Sequence, residues 1–222
     1  LYLCNNGNAF TKVDMGGLLY PGPFDPSRYI GGRIQRVNIE TGVVTDLYTH
    51  CGEHQLRAPN DIVFDKHGGF YFTDHGTRAE RTADRTGIYY ATTDGASITE
   101  IAFPVDGPNG IGLSPSEDTL YWAETHTGRV YQRTITSPGV LAPPDGASVV
   151  LCGLPGYQLL DSLAVDGDGN VCVATLINGG ITVISPSGEI VKHIAVDDRL
   201  TTNICFGGPD FQTAYITASS TG

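Results

Sequence analysis

Three six-residue phrases in this chain share one form. Residues 60–65 read NDIVFD, residues 109–114 NGIGLS and residues 161–166 DSLAVD. Each opens on an amide or a carboxylate, then runs through Ile or Leu to a second apolar residue. A single Asn or Asp at a strand entry forms an Asx turn. Three at equivalent places in a repeat are a candidate site: Asn60, Asn109 and Asp161, with Thr202 as a weaker fourth member. Their oxygens suit hard divalent cations such as Ca²⁺, Mg²⁺ or Mn²⁺. A cation of that kind polarises a carbonyl and stabilises the oxyanion that forms from it. A neighbouring carboxylate can accept a proton from an attacking water. Asp161 is the candidate for that catalytic role, shared or in competition with metal ligation.

Other chemistry-bearing residues form weaker patterns. His75, in FTDHG, follows the second strand of its repeat and can reach the same place. The commoner reading for it, as for His126, is a loop histidine bonded to backbone. Tyr157, in GYQLLD, either walls a pocket beside Asp161 or packs. DGDGN at 166–170 imitates an EF-hand loop, yet Val171 and Ile177 stand where that loop needs Gly and Glu. The six histidines form no HExxH, and there is no GxSxG elbow. Zinc-protease and serine-hydrolase chemistry are therefore disfavoured. Trp122 reads as core.

The elements that must position these residues are strands. Runs such as GFYFTD, TLYWAET, NVCVATL and TAYITAS are rich in Val, Ile, Thr, Tyr and Phe, and Gly, Asp, Asn, Ser or Pro bound them. From Asn60 through Asn109 and Asp161 to Thr202 the intervals are 49, 52 and 41 residues. Four strands per unit at that period predict an all-β fold, a β-propeller of four-stranded antiparallel blades. Blades are expected at about 57–106, 107–155 and 158–198, with partial blades at 1–49 and 201–222. The phrase is then the inner strand of each blade, and its first residue lies at one mouth of the central channel. The chain reads as an internal section of a longer propeller. Its insertions, MGGLLYPGPFDPSRYIGG and HGTRAERTADRTG, are lid or specificity loops, or plain surface connections.

Composition narrows the partners. A net charge of -11 repels phosphate backbones, so nucleic acid is not expected. No apolar run approaches the roughly 20 residues that span a bilayer, so no membrane association is expected. The five Cys form no CxxC pair and most sit in apolar runs. They read as buried, reduced residues of a cytoplasmic protein, with one disulfide left open. Nothing in the sequence fixes an oligomeric state.

PNDIVFDKHGGFYFTD, PNGIGLSPSEDTLYWAET, DSLAVDGDGNVCVAT and TTNICFGGPDFQTAYITAS together resemble the gluconolactonase family, which includes regucalcin. The last stretch, with its TT…CFGG phrase, is the most specific. The resemblance implies a six-bladed propeller with one divalent cation, usually Ca²⁺, at the channel mouth; Zn²⁺, Mn²⁺ and Mg²⁺ are the alternatives. It implies hydrolysis of a small-molecule lactone, such as a sugar lactone. The family's Asn and Asp ligands fall on Asn109 and Asp161. Its Arg-x-Asn-Asp stretch puts Asn60 near metal and substrate. Arg57 stands three residues before Asn60 instead of two, which weakens its carry-over as a substrate residue. The Glu ligand of an EGP-like motif has no counterpart in this chain. A non-catalytic calcium- or ligand-binding propeller and a metal-dependent ester or phosphoester hydrolase stay open as alternatives.

Overall fold

The alternating apolar runs become strands, and within each sheet they pair antiparallel, mostly with their sequence neighbours. A computed structural model describes residues 1–220. Its first sheet joins Tyr2–Asn5, Arg33–Val37 and Val44–Tyr48. The second is Pro59–Phe64, Gly69–Asp74, Thr86–Thr92 and Ile98–Val105. The third is Pro108–Leu113, Thr119–Glu124, Arg129–Ser137 and Val150–Gly153, with Val140–Leu141 added on Arg129–Ser137. The fourth is Leu159–Val165, Val171–Leu176, Gly180–Ile184 and Ile190–Ala195. Thr201–Gly207 pairs with Thr213–Ala218 in the fifth. Helix is confined, among the described residues, to a 3-10 turn at Gly146–Val149. None is long and apolar enough to cross a membrane.

Each pair of neighbouring sheets encloses its own apolar core. Ile34, Tyr48, Phe70 and Phe72 fill the space between the first and second. Tyr71, Ile88, Leu120 and Trp122 pack between the second and third, so Trp122 is core. Val130, Leu151, Leu163 and Val173 join the third to the fourth, and Ile181, Val183 and Ile204 the fourth to the fifth. The sheets therefore stack face to face, with the first strands of the second to fifth side by side. Their approach is close enough that a Cβ on Gly110 would lie 2.5 Å from the backbone nitrogen of Leu163. Glycine is required there by contact.

Those first strands share an irregularity. Register shifts occur between Pro59 and Ile62, Pro108 and Ile111, Leu160 and Leu163, and Thr201 and Asn203. Every inner strand is thus bulged at its head, where each phrase opens. A bulge frees backbone groups from the ladder and re-aims the local side chain. Asp61 takes up several freed donors. It accepts the Ile62 N–H at 2.9 Å and the Ile111 N–H at 3.3 Å, with the Ser162 hydroxyl and Leu163 N–H also bonded to it. Thr73 ties the same layer: its hydroxyl accepts the Asp61 N–H at 3.1 Å and donates to the Asn109 carbonyl at 2.6 Å.

Asp74 closes the next layer. Its buried carboxylate accepts the N–H groups of Arg57 and Ala58, both at 2.6 Å, and of Gly76 at 3.1 Å. It thereby fixes the backbone entering Pro59–Phe64 against the backbone leaving Gly69–Asp74. Removing it strands three N–H donors, and each costs about 1–3 kcal/mol when unpaired and buried. Asp74→Ala is expected to lose at least about 3 kcal/mol of unfolding free energy, read from the midpoint of urea denaturation followed by circular dichroism. A loss under about 1 kcal/mol would show that water satisfies these donors.

Candidate functional site

The bulged heads of three inner strands open on one cavity of about 590 Å³. Asn60, Asn109 and Asp161 all line it, with His75, Thr125 and His126 beside them. The bulges set this convergence, because they turn the opening residues out of the sheets. The insertion after the first strand supplies the other side. It forms a hairpin, Thr11–Asp14 with Leu19–Gly22, that places Tyr20, Pro21 and Pro23 on the cavity. Its Leu19 N–H donates to the Ser220 carbonyl at 3.3 Å, which ties the first sheet's insertion to the chain end beyond the fifth sheet. The second insertion contributes Arg78, Ala79 and Glu80 and accepts the Phe24 N–H at the Arg78 carbonyl, 3.1 Å away.

Asn109 is buried, and its amide nitrogen donates to the Thr125 hydroxyl at 3.1 Å. Its carbonyl oxygen Oδ1 is buried with no hydrogen-bond partner. Leaving such an oxygen unpaired is costly. Beside it, burial pushes the Asp161 carboxyl up to about 7; the charge of Asp61 adds to the rise, and a hydrogen bond from Asn109 opposes it. An unpartnered carbonyl next to an under-stabilised carboxylate is a donor set that fits a hard cation. Among the described residues no three or more His, Cys, Asp or Glu side chains are grouped so as to hold a metal ion, so these oxygens would hold a cation with one carboxylate and amide carbonyls.

His75, also on the lining, is buried, with Phe10 against it at 5.4 Å between ring centres and His126 at 5.8 Å, both edge-on. Burial lowers it to about 4, so the imidazole is neutral at neutral pH. The Nδ1 atom lies 3.3 Å from the Gly76 carbonyl, which can only accept, and this assigns the proton to Nδ1. The Nε2 atom is left as an acceptor.

Three expected residues lie elsewhere. Arg57 donates to Asp84 at 2.9 Å and stacks over the Tyr29 ring at 5.2 Å, away from the cavity lining. Tyr157 is 74% exposed and off the lining. The Thr202 hydroxyl pairs with that of Thr217 at 2.8 Å. Of the residues missed, Asp61 carried a visible signal: its position in the phrase is Asp, Gly, Ser and Asn in the four repeats, so a charge occurs there once. Tyr20, Pro21 and Ile177 carried none, because a loop's path does not follow from its composition.

Known proteins agree with this architecture. The lactonase drp35 of Staphylococcus saprophyticus is 31% identical over 194 residues, which are 86% of this chain and 57% of that protein. The chain therefore spans little more than half the length of this curated relative. A gluconolactonase from Xanthomonas campestris superposes with a TM-score of 0.70 at 23% identity, over 88% of this chain and 67% of that one. Regucalcin, a calcium-binding protein from Agrobacterium tumefaciens, gives 0.70 at 20% identity, over 95% and 69%. Both likenesses show an all-β fold of the propeller type. Residues 29–220 match the SMP-30/Gluconolactonase/LRE-like region, and the chain belongs to that family.

Proposed function

We propose that this chain carries the main part of the site of a divalent-cation-dependent lactonase, built as a six-bladed propeller. Three of its sheets supply the blades at about 57–106, 107–155 and 158–198, with partial blades on either side. The observation that carries the reading is the buried, unpartnered Oδ1 of Asn109, a residue beside Asp161 that lines, with it, a cavity large enough for a small ester. The relative named as a lactonase supports the reaction class. Regucalcin, described as calcium-binding, supports Ca²⁺.

Asn109 Oδ1 and Asp161 would hold the cation, with Asn60, at the head of Pro59–Phe64, near it. When bound, it supplies Lewis acidity toward a carbonyl oxygen and positive charge beside a developing oxyanion. Asp161 accepts a proton from the attacking water, as a carboxylate placed beside the reacting carbonyl can. Water adds to the ring carbonyl carbon, the ring C–O bond breaks, and the proton passes to the departing alkoxide. The product is a hydroxy acid. Neutral His75 accepts a hydrogen bond from substrate through Nε2, and Asn60 binds it through its amide.

Three outcomes test this. Hydrolysis of aliphatic and sugar lactones, followed by acid release, is expected to vanish in EDTA and return with Ca²⁺, and Asp161→Ala is expected to lower kcat/KM by roughly 10²–10⁴. Turnover that persists in EDTA, or a fully active variant, would defeat the mechanism. Independently of activity, Ca²⁺ at about 100 times its Kd is expected to stabilise the fold by about 2.7 kcal/mol. Asn109→Ala should abolish that rise in Tm; an undiminished rise places the cation elsewhere.

The third concerns His75. Its folded value lies below its unfolded one, so the unfolded chain takes up a proton first as pH falls. This group's contribution is intact above about pH 6.5 and is lost between 6.5 and about 4. The loss is worth about 3 kcal/mol. His75→Gln is expected to flatten the acid limb of a Tm-against-pH curve, and an unchanged limb would show that His75 is protonated in the fold.

A further inference from the structure

The cavity has two chemistries. Its floor presents Asn60, Asn109 and Asp161, whereas one wall is Leu159, Leu176, Ile177 and Leu200. Tyr20 and Pro21 of the hairpin add further apolar surface to the lining. Arg78, Glu80, Thr125 and His126 put donors and acceptors on other parts of the lining, but this wall has none, so a ring hydroxylated all round would turn some hydroxyls against it. Hydroxyls set against Leu and Ile would lose water and find no partner.

Ile177 marks this wall as built. Its backbone lies in the left-handed region, φ 72°, where a β-branched residue is a genuine outlier. Gly179, two residues on, takes the same region with φ 69° at little cost. The strained position is pinned: the Ile177 N–H donates to the Arg199 carbonyl at 2.7 Å, and Leu176 bridges Leu200. Even so, the Ile177 side chain stays 41% exposed at the cavity. Folding gains little from an apolar side chain held strained and half in water. A ligand that covers it does gain. Strain of this kind gathers at functional sites.

We propose that the substrate is a lactone bearing an apolar alkyl or aryl substituent, and that sugar lactones are poor substrates. The ring carbonyl faces Asn109 and Asp161, and the substituent lies on the Ile177–Leu200 wall. This inference rests on the lactonase reading and goes beyond it to the substrate class.

The experiment uses the full-length protein with γ-lactones from γ-butyrolactone to γ-nonalactone, alongside D-glucono-1,5-lactone. The kcat/KM is expected to climb roughly threefold per methylene until the wall is covered. The sugar lactone should fall at least about tenfold below γ-nonalactone. Ile177→Asn suits the left-handed backbone and removes the apolar contact, so it should flatten the climb. Tyr20→Ser, on the hairpin, gives the same reading should the first variant fold poorly. A flat series in the unaltered protein, or a preference for the sugar lactone, overturns the inference and leaves the lactonase reading standing. If no lactone is turned over, that reading fails, and calorimetry with the matching alkyl lactams decides the wall alone. Affinity that rises with chain length upholds it, and affinity indifferent to length refutes it.

Discussion

The bulge at the head of each inner strand is the constraint on which this site depends. A bulge breaks the ladder, and the N–H groups it frees must find other acceptors inside the protein. In the second, third and fourth sheets one carboxylate does much of this. Asp61 accepts N–H groups from its own strand and from the next two, and the Ser162 hydroxyl as well. The second letter of the phrase then has a physical meaning. Asp61 reaches across, Gly110 lets the strands come close enough to be reached, and Ser162 offers a hydroxyl. In the fifth sheet the same place is Asn203, whose side chain accepts the Ile204 N–H at 2.7 Å. The strap sits one residue from Asn60, Asn109 and Asp161, so it sets their separation.

That arrangement also sets the charge of the mouth. Burial pushes Asp61 up to about 6, and its own hydrogen bonds pull it back. Its negative charge then raises Asp161 further. Two carboxylates behind one another in a low-dielectric setting each make the other's ionisation harder. The cationic side chain on the cavity rim, Arg78, is paired with Asp106. A small hard cation between Asn109 and Asp161 would relieve both effects at once. The carbonyl of Asn109 would gain a partner, and the two carboxylates would be screened. Strap and proposed cation site would thus form one electrostatic unit.

Much of this was legible in the chain. Apolar alternation between turn residues dictated strands, because only a pleated backbone puts such residues on one face. The phrase repeated because inner strands in successive sheets meet the same neighbours, and its opening residues do line one cavity. Partnerships across the chain were not legible. Arg57 sits next to the phrase yet pairs with Asp84, 27 residues on, since the loop after Gly69–Asp74 folds back over it. Tyr157 is near Asp161 in sequence, but the strand entry turns it to solvent. Ile177 looked like the end of a strand before an Asn-Gly turn, and nothing in its type announces a left-handed backbone. Cys205, in an apolar run like its fellows, is exposed, because the strand Thr201–Gly207 turns it outward.

The cavity therefore joins parts under different physical control. The floor is held by buried hydrogen bonds that cross from sheet to sheet, so a change there is felt as stability. The turn at Ile177 and the hairpin at Tyr20 lie outside the inner strands, the first held by the Ile177 N–H on the Arg199 carbonyl and the second tied by backbone hydrogen bonds such as Leu19 to Ser220. Loops attached in that way tolerate substitution far better than bulged inner strands do. On the proposed reading, reaction chemistry that needs fixed oxygens would belong on the floor, and discrimination among substituents on the wall, where an altered side chain would leave the strap undisturbed.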